Sequence, residues 1–314
     1  MRLPSRRLRR IALVCFACAA SLAAADRRLL TPAGAAKPIG PYSPALDLGE
    51  MVYVSGQGAL DAQGKMPTGL EAQAALTIAN VRANLAAAGL DFHHVVAAQL
   101  YVSDFSTFPA VEKLWKQAVP APGPATIRMG VARMPAGTTV EITVVAVKDR
   151  RKSRFPRYLD GVYGATRAEV EAKLRKAAPQ GLAALTLYST ESREPGVLPV
   201  TALPGGARWA AFAVASAGKP ANTVYCNVVE SSSGAVEAQT EQAFEKLKAC
   251  LAGQGATLAG LVATNVWLDD IEQFSRMNAV YARQFSGAFP TRTTIQPGAK
   301  AGGPAVRISG VAVK

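Results

Sequence analysis

A shift of 166 positions lays the chain on itself. Glu71-Ala72-Gln73 falls on Glu237-Ala238-Gln239, Leu85-Ala86 on Leu251-Ala252, Gly89 on Gly255, and Asp104 on Asp270. Phe108 meets Phe274, Pro124 meets Pro290, and Val145-Ala146-Val147-Lys148 meets Val311-Ala312-Val313-Lys314 without a gap between. A register held this long identifies two copies of one fold. The chain length suits two domains, and 49% hydrophobic against 18% charged residues supplies two apolar cores.

The start of the chain reads as a targeting segment. Five arginines in the first ten residues precede an apolar run, Ile11 to Leu22, that is too short to span a bilayer, and Ala23-Ala24-Ala25 then supplies small residues. The expectation is a Sec-type signal peptide over 1–25 cleaved after Ala25, a periplasmic or secreted product, and no stable membrane span after cleavage. The formal charge of +13, less five arginines, leaves +8 on the mature chain. These charges are scattered without an aromatic-basic pattern, so nucleic acid is not the expected partner; a small anionic metabolite suits a basic surface. Cys226 and Cys250 remain after cleavage, as one disulfide or as two buried thiols. The only histidines, His93 and His94, adjoin one another in a turn and give no metal-ligand spacing.

Each copy alternates strands and helices. In the first, Met51–Val54 is strand-like, Thr68 or Gly69 opens a helix whose face is Ile78, Val81, Leu85 and Ala88, and Gly89 stops it. Strands follow at Val95–Val102, Ile127–Met134 and Val140–Val147, with a helix from Phe108 to Val119. The second copy repeats this, with strands at Leu261–Leu268 and Val306–Val313. The fold class is α+β: a mixed sheet with two helices on one face, whose other face needs cover from another copy or subunit. The domain expectation is 30–150, a connector over 151–190 with a helix-like Arg167–Lys176 and a strand-like Gly181–Tyr188, and 191–314.

Ile39-Gly40-Pro41-Tyr42-Ser43, Val54-Ser55-Gly56-Gln57 and the Glu71-Ala72-Gln73 helix make the first copy similar to the RidA (YjgF) family. Phe274…Asn278…Tyr281 and Phe289-Pro290-Thr291-Arg292-Thr293 carry a weaker likeness in the second. The resemblance implies tandem chorismate-mutase-like domains, trimeric assembly with clefts between neighbouring domains, and cofactor-free hydrolysis of reactive 2-imino and enamine acids. It also implies an arginine that binds the substrate carboxylate and a glutamate that positions water. A guanidinium fork suits a carboxylate, and a carboxyl group suits proton transfer to water or imine nitrogen.

The two copies divide these parts. The first has Tyr42, Ser55, Gly56 and Glu141 but Thr126 at the arginine position, with Arg128 two residues on. The second has Arg292 and Asn278 but Arg307 at the glutamate position. Three arrangements fit: a hybrid cleft joining Arg292 to Glu141; Arg128 replacing the missing arginine; or a non-catalytic binding or scaffold protein for small anionic metabolites. Glu141 and Arg292 are the catalytic candidates, and Tyr42, Ser55, Gly56, Arg128 and Asn278 the substrate-binding ones.

Overall fold

The computed structural model describes residues 27–151, 155–298 and 303–314. The expected signal peptide and its cleavage point lie outside these residues.

The N-terminal copy contains β1 (Arg28–Leu30), β2 (Ala45–Asp47), β3 (Met51–Gln57), α1 (Leu70–Ala87), β4 (Val95–Val102), α2 (Phe108–Ala118), β5 (Ala125–Gly130) and β6 (Val140–Val147). Its sheet order is β1-β2-β3-β6-β4-β5, antiparallel except for β4 with β5. All eight residues of β4 are buried, as a strand covered on both faces requires. Helix α1 lays Ile78, Val81 and Leu85 on the sheet, each burial stabilising by about 1.5–3 kcal/mol. Gly89 follows its end at φ 73°, a left-handed conformation that glycine adopts without strain.

The segment after it is a second sheet. It comprises β7 (Tyr158–Gly164), α3 (Arg167–Ala177), β8 (Leu182–Ser189), β9 (Val197–Pro199) and β10 (Trp209–Ala215), in the order β7-β10-β8-β9. The expected connector, 151–190, therefore supplies two strands and a helix of a folded unit. Residues 191–215, expected to open the C-terminal domain, complete that same sheet rather than the next one. The 166-residue register is blind to this unit, because the unit has no 166-shifted partner.

The C-terminal copy consists of β11 (Thr223–Ser231), α4 (Val236–Ala252), β12 (Leu261–Leu268), α5 (Phe274–Arg283), β13 (Thr291–Ile295) and β14 (Val306–Val313), ordered β11-β14-β12-β13. Cys226 on β11 and Cys250 on α4 form a disulfide, tying helix to sheet across 24 residues. In the chain-entropy account a loop of this size is worth about 3 kcal/mol.

Helices cover one face of each sheet. The opposite faces meet in a shared core that includes Tyr101 and Met129 of the first sheet, Tyr188 and Leu198 of the second, and Trp267 and Ile295 of the third. The cover that an α+β layer needs is thus found within the chain. Among the described residues no helix is long and apolar enough to cross a membrane.

Candidate functional site

Strand β13 of the C-terminal copy runs beside β3 of the N-terminal copy, and the cleft lies along this seam. Three hydrogen bonds fix it. The Ser43 amide donates to the Pro290 carbonyl at 3.1 Å, the Ser43 hydroxyl donates to the Phe289 carbonyl, and the Arg292 amide donates to Ser55 Oγ at 2.8 Å. Ser55 in turn donates its hydroxyl proton to the Ser43 carbonyl at 2.6 Å. Ser55 sits in a bulge: β3 pairs Val54 with Val144 and Gln57 with Ile142, leaving Ser55 and Gly56 out of the regular ladder. A bulge re-aims its side chains, and here one reaches across to the neighbouring strand.

Arg292 is buried with 3% of its surface exposed. Its guanidinium carbon lies 5.2 Å from the Tyr42 ring centre, 5.4 Å from Phe274 and 4.7 Å from Tyr281. Cation–π attraction from these three faces holds the charge in place, and burial lowers its proton affinity. Yet Nη1 and Nη2 both have no hydrogen-bond partner among the described residues. A buried guanidinium with two unmet donors is a costly arrangement that an incoming anion relieves. Asn278 Oδ1 is likewise buried and unpartnered. Gly40 packs so closely that a Cβ there would meet Arg292 Nη2 at 2.6 Å and Asn278 Nδ2 at 3.0 Å.

Glu141 projects from β6 over the bulge. A side chain at position 56 would collide with its carboxylate oxygen, so the motif needs glycine there. Burial pushes the Glu141 carboxyl up to about 8, opposed by the nearby Arg292 charge and by a hydrogen bond from the Thr294 amide. The group is thus predominantly protonated at neutral pH. Tyr42, half-buried in the same wall, has its hydroxyl pushed up by desolvation; that hydroxyl accepts from the Ile39 amide at 3.2 Å. The cavity between these groups, about 80 Å³, is lined by Tyr42, Gly56, Gln57, Glu141, Phe274 and Arg292.

Tyr42, Ser55, Gly56, Glu141, Asn278 and Arg292 are therefore gathered at one seam. Arg128 is not. It projects into the next seam, where Nε meets Glu112 Oε1 at 3.1 Å and Nη1 donates to the Thr126 carbonyl at 3.1 Å. Alternation along β5 does place residues 126 and 128 on one side, but that side faces the middle sheet instead of Glu141. Arg307, at the glutamate position of the C-terminal copy, pairs with Glu230 at 2.8 Å. His93 and His94 flank Asp91 at the surface. Phe274 and Thr294 line the cavity, and core Tyr281 packs its ring on the Arg292 guanidinium; sequence reasoning did not assign these three to the site. The spacing of Phe274, Asn278 and Tyr281 on α5 (i, i+4, i+7) was the available signal, but the shifted equivalents Phe108 and Trp115 read as core, and in the N-terminal copy they are core.

A family model described as Endoribonuclease L-PSP matches residues 33–148 and 212–314. Over 124 residues the chain is 38% identical to the 2-iminobutanoate/2-iminopropanoate deaminase of Capra hircus, spanning 39% of this chain and 90% of that protein. It is 40% identical over 117 residues to Protein DfrA of Myxococcus xanthus, spanning 36% of this chain and 89% of that one. Among solved structures, a RidA from a Psychrobacter species is 30% identical, covering 38% of this chain and 99% of that chain with a TM-score of 0.38.

Proposed function

The chain belongs to the Endoribonuclease L-PSP family, and we propose that its N-terminal/C-terminal cleft hydrolyses 2-imino acids and their enamine tautomers to 2-oxo acids and ammonium. The observation that carries this reading is the buried guanidinium of Arg292, with Nη1 and Nη2 unpartnered among the described residues, in a cavity that the carboxyl of Glu141 also lines; burial raises that carboxyl's proton affinity. One group demands a planar anion, and the other holds a proton ready for a base. The deaminase name of similar proteins supports the same chemistry.

The substrate carboxylate takes both η nitrogens in a bidentate pair, which fixes C2 relative to Glu141. Glu141 gives its proton to the imine nitrogen, forming an iminium and leaving a carboxylate. That carboxylate removes a proton from water as the oxygen adds to C2, giving a carbinolamine. Glu141 then returns this proton to nitrogen, the C–N bond breaks as C=O forms, and the hydroxyl proton passes back to Glu141. Imine and water become 2-oxo acid and ammonia, which is protonated in solution. A carboxyl whose affinity lies near neutrality serves both directions.

The test is ammonium release from freshly generated 2-iminopropanoate. Acceleration over buffer is expected; none, across several side-chain sizes, overturns the reading. Binding of pyruvate without turnover would make the chain a receptor for small carboxylates. The chain is further proposed to be exported, a reading supported by the pattern of residues 1–25 and by the Cys226–Cys250 disulfide. An N-terminus at Asp26 on the mature protein is the expected result.

A further inference from the structure

We infer that the middle sheet is a third, reduced copy of the same unit, and that the three copies close head to tail into a ring within one chain that carries a single open ligand cleft.

The backbone argues for the copy. Each unit orders its four principal strands first-last-second-third: β3-β6-β4-β5, β7-β10-β8-β9 and β11-β14-β12-β13. Each places a bulge at the same rung of its first strand, leaving out Ser55-Gly56, Asp160-Gly161 and Asn227-Val228. Glu141 pairs with Tyr101, Ala210 with Tyr188 and Arg307 with Trp267, so these three are equivalent positions. Before the last strand, Met134-Pro135-Ala136-Gly137 and Leu203-Pro204-Gly205-Gly206 make the same turn, with Ala136 and Gly205 at φ 57° and 63°. The middle copy has no counterpart of α2, and its edge strand β9 is three residues long.

The seams argue for the ring. At each one the bulge side chain accepts a backbone N–H from the adjacent copy. Ser55 accepts from Arg292 at 2.8 Å, Asp160 from Thr126 at 2.8 Å, and Asn227 from Leu185 at 3.0 Å. The C-terminal copy thus meets the N-terminal one, the N-terminal meets the middle, and the middle meets the C-terminal. Where β9 is too short to reach its seam, β8 takes its place through Leu185. Further bridges repeat at two seams, Gly130 with Ala202 and Gln296 with Arg133, again at equivalent positions. Equivalent side chains converge on the axis: Tyr101, Tyr188 and Trp267 in one core, and Tyr53, Tyr158 and Tyr225 around one cavity. Head-to-tail contacts that close leave no seam over for a second chain.

The seams differ in what fills them. At the second, Thr126 stands where Arg292 stands at the first. Tyr163 covers Gly161 and bonds to the backbone of Arg128, its hydroxyl accepting from the amide at 2.7 Å. At the third, Val228 replaces the bulge glycine and packs into the shared core. Among the described residues, the first has a guanidinium with both η nitrogens unpartnered, whereas the Arg128 guanidinium at the second lies against the Glu112 carboxylate. The single-cleft part rests on the function proposed above; the ring does not.

Arg133 and Glu272 span the first seam at 2.6 Å and are both exposed. The Arg133→Lys chain, treated with carbodiimide, is expected to give a 133–272 cross-link at the denatured mass of one chain. The same link in species of two or three chains, or its absence, overturns the ring. Calorimetric titration of the wild-type chain with pyruvate is expected to give one site per chain, abolished in Arg292→Ala. Two or three equal sites overturn the single cleft. Failure of pyruvate to bind overturns the reading of the cleft and leaves the cross-link to decide the ring.

Discussion

At Ser55 and at Asp160 the backbone is solved the same way, yet the chemistry parts. Both residues sit in a bulge of a first strand, and both cap the amide of a neighbouring edge strand at 2.8 Å. In the seam at Ser55 the capped residue is Arg292, aromatic rings hold its charge, and a buried carboxyl faces it. In the seam at Asp160 the capped residue is Thr126, its hydroxyl donates to the Pro124 carbonyl, and a tyrosine fills the space over the glycine. The second seam sets its guanidinium against the carboxylate of Glu112, with Nη1 donating to the Thr126 carbonyl, whereas the first leaves both η nitrogens of Arg292 without a partner among the described residues. Polar satisfaction is what distinguishes an interface from a site when the backbone is shared.

The largest expected effect that tests this contrast is at Arg292. Arg292→Ala removes the anion clamp, and kcat/KM for 2-iminopropanoate should fall by about 10³-fold or more. Thermal unfolding of the same variant should occur at a higher temperature, because an unpaired buried charge has gone. Loss of activity together with loss of stability would make Arg292 a structural residue. Glu141→Gln should lower kcat by roughly 10²–10³-fold, measured by ammonium release.

The Glu141 carboxyl also carries a signed pH prediction. Its folded affinity is raised from 4.5 to about 8, so the native state holds a proton that the unfolded state releases. This contribution to stability is fully present below about 4.5 and is lost as pH rises through about 8. Urea unfolding across that window should show the decline, and Glu141→Gln should flatten it. The pH profile of kcat/KM gives the complementary check.

Next in size is a matched pair. Gly56→Ala pushes Glu141 aside and should reduce kcat/KM by about 10- to 100-fold. Gly161→Ala meets the Thr126 carbonyl at 2.8 Å; it should cost about 1–3 kcal/mol in urea unfolding and change kcat/KM less than about twofold. Equal effects on activity would mean that both seams are working clefts. The smallest effect belongs to Arg128→Ala, where breaking a partly exposed ion pair with Glu112 costs about 0.5–1 kcal/mol and leaves pyruvate affinity unchanged.

The strands Val95–Val102, Val140–Val147, Leu261–Leu268 and Val306–Val313 were readable to the residue, because their apolar runs end at turn formers. Helix α1 was readable too, between Gly69 and Gly89. The unit between the copies was only half visible. Its helix and its β8 strand carry ordinary local signals, but Leu203-Pro204-Gly205-Gly206 shares too few side chains with Met134-Pro135-Ala136-Gly137 to announce a repeat. Strand order is a property of long-range pairing, and few identities are needed to preserve it.

What the sequence by itself determined was the repeat and most of its strands and helices; the candidate inventory of the cleft, an arginine half near residue 292 and a tyrosine, serine, glycine and glutamate half between residues 42 and 141, came from motifs that resemble a known family. Motifs and periodicity are local, so they are legible without the fold. What the tertiary structure decided was which half meets which. Arg292 and Arg128 are both arginines on edge strands of the same fold, two rungs apart in register, and the local pattern left open whether Arg128 replaces the arginine missing at Thr126. The closure of β13 onto β3 and of β5 onto the middle sheet decides between them, because burial leaves the guanidinium of one without partners and gives the other a carboxylate.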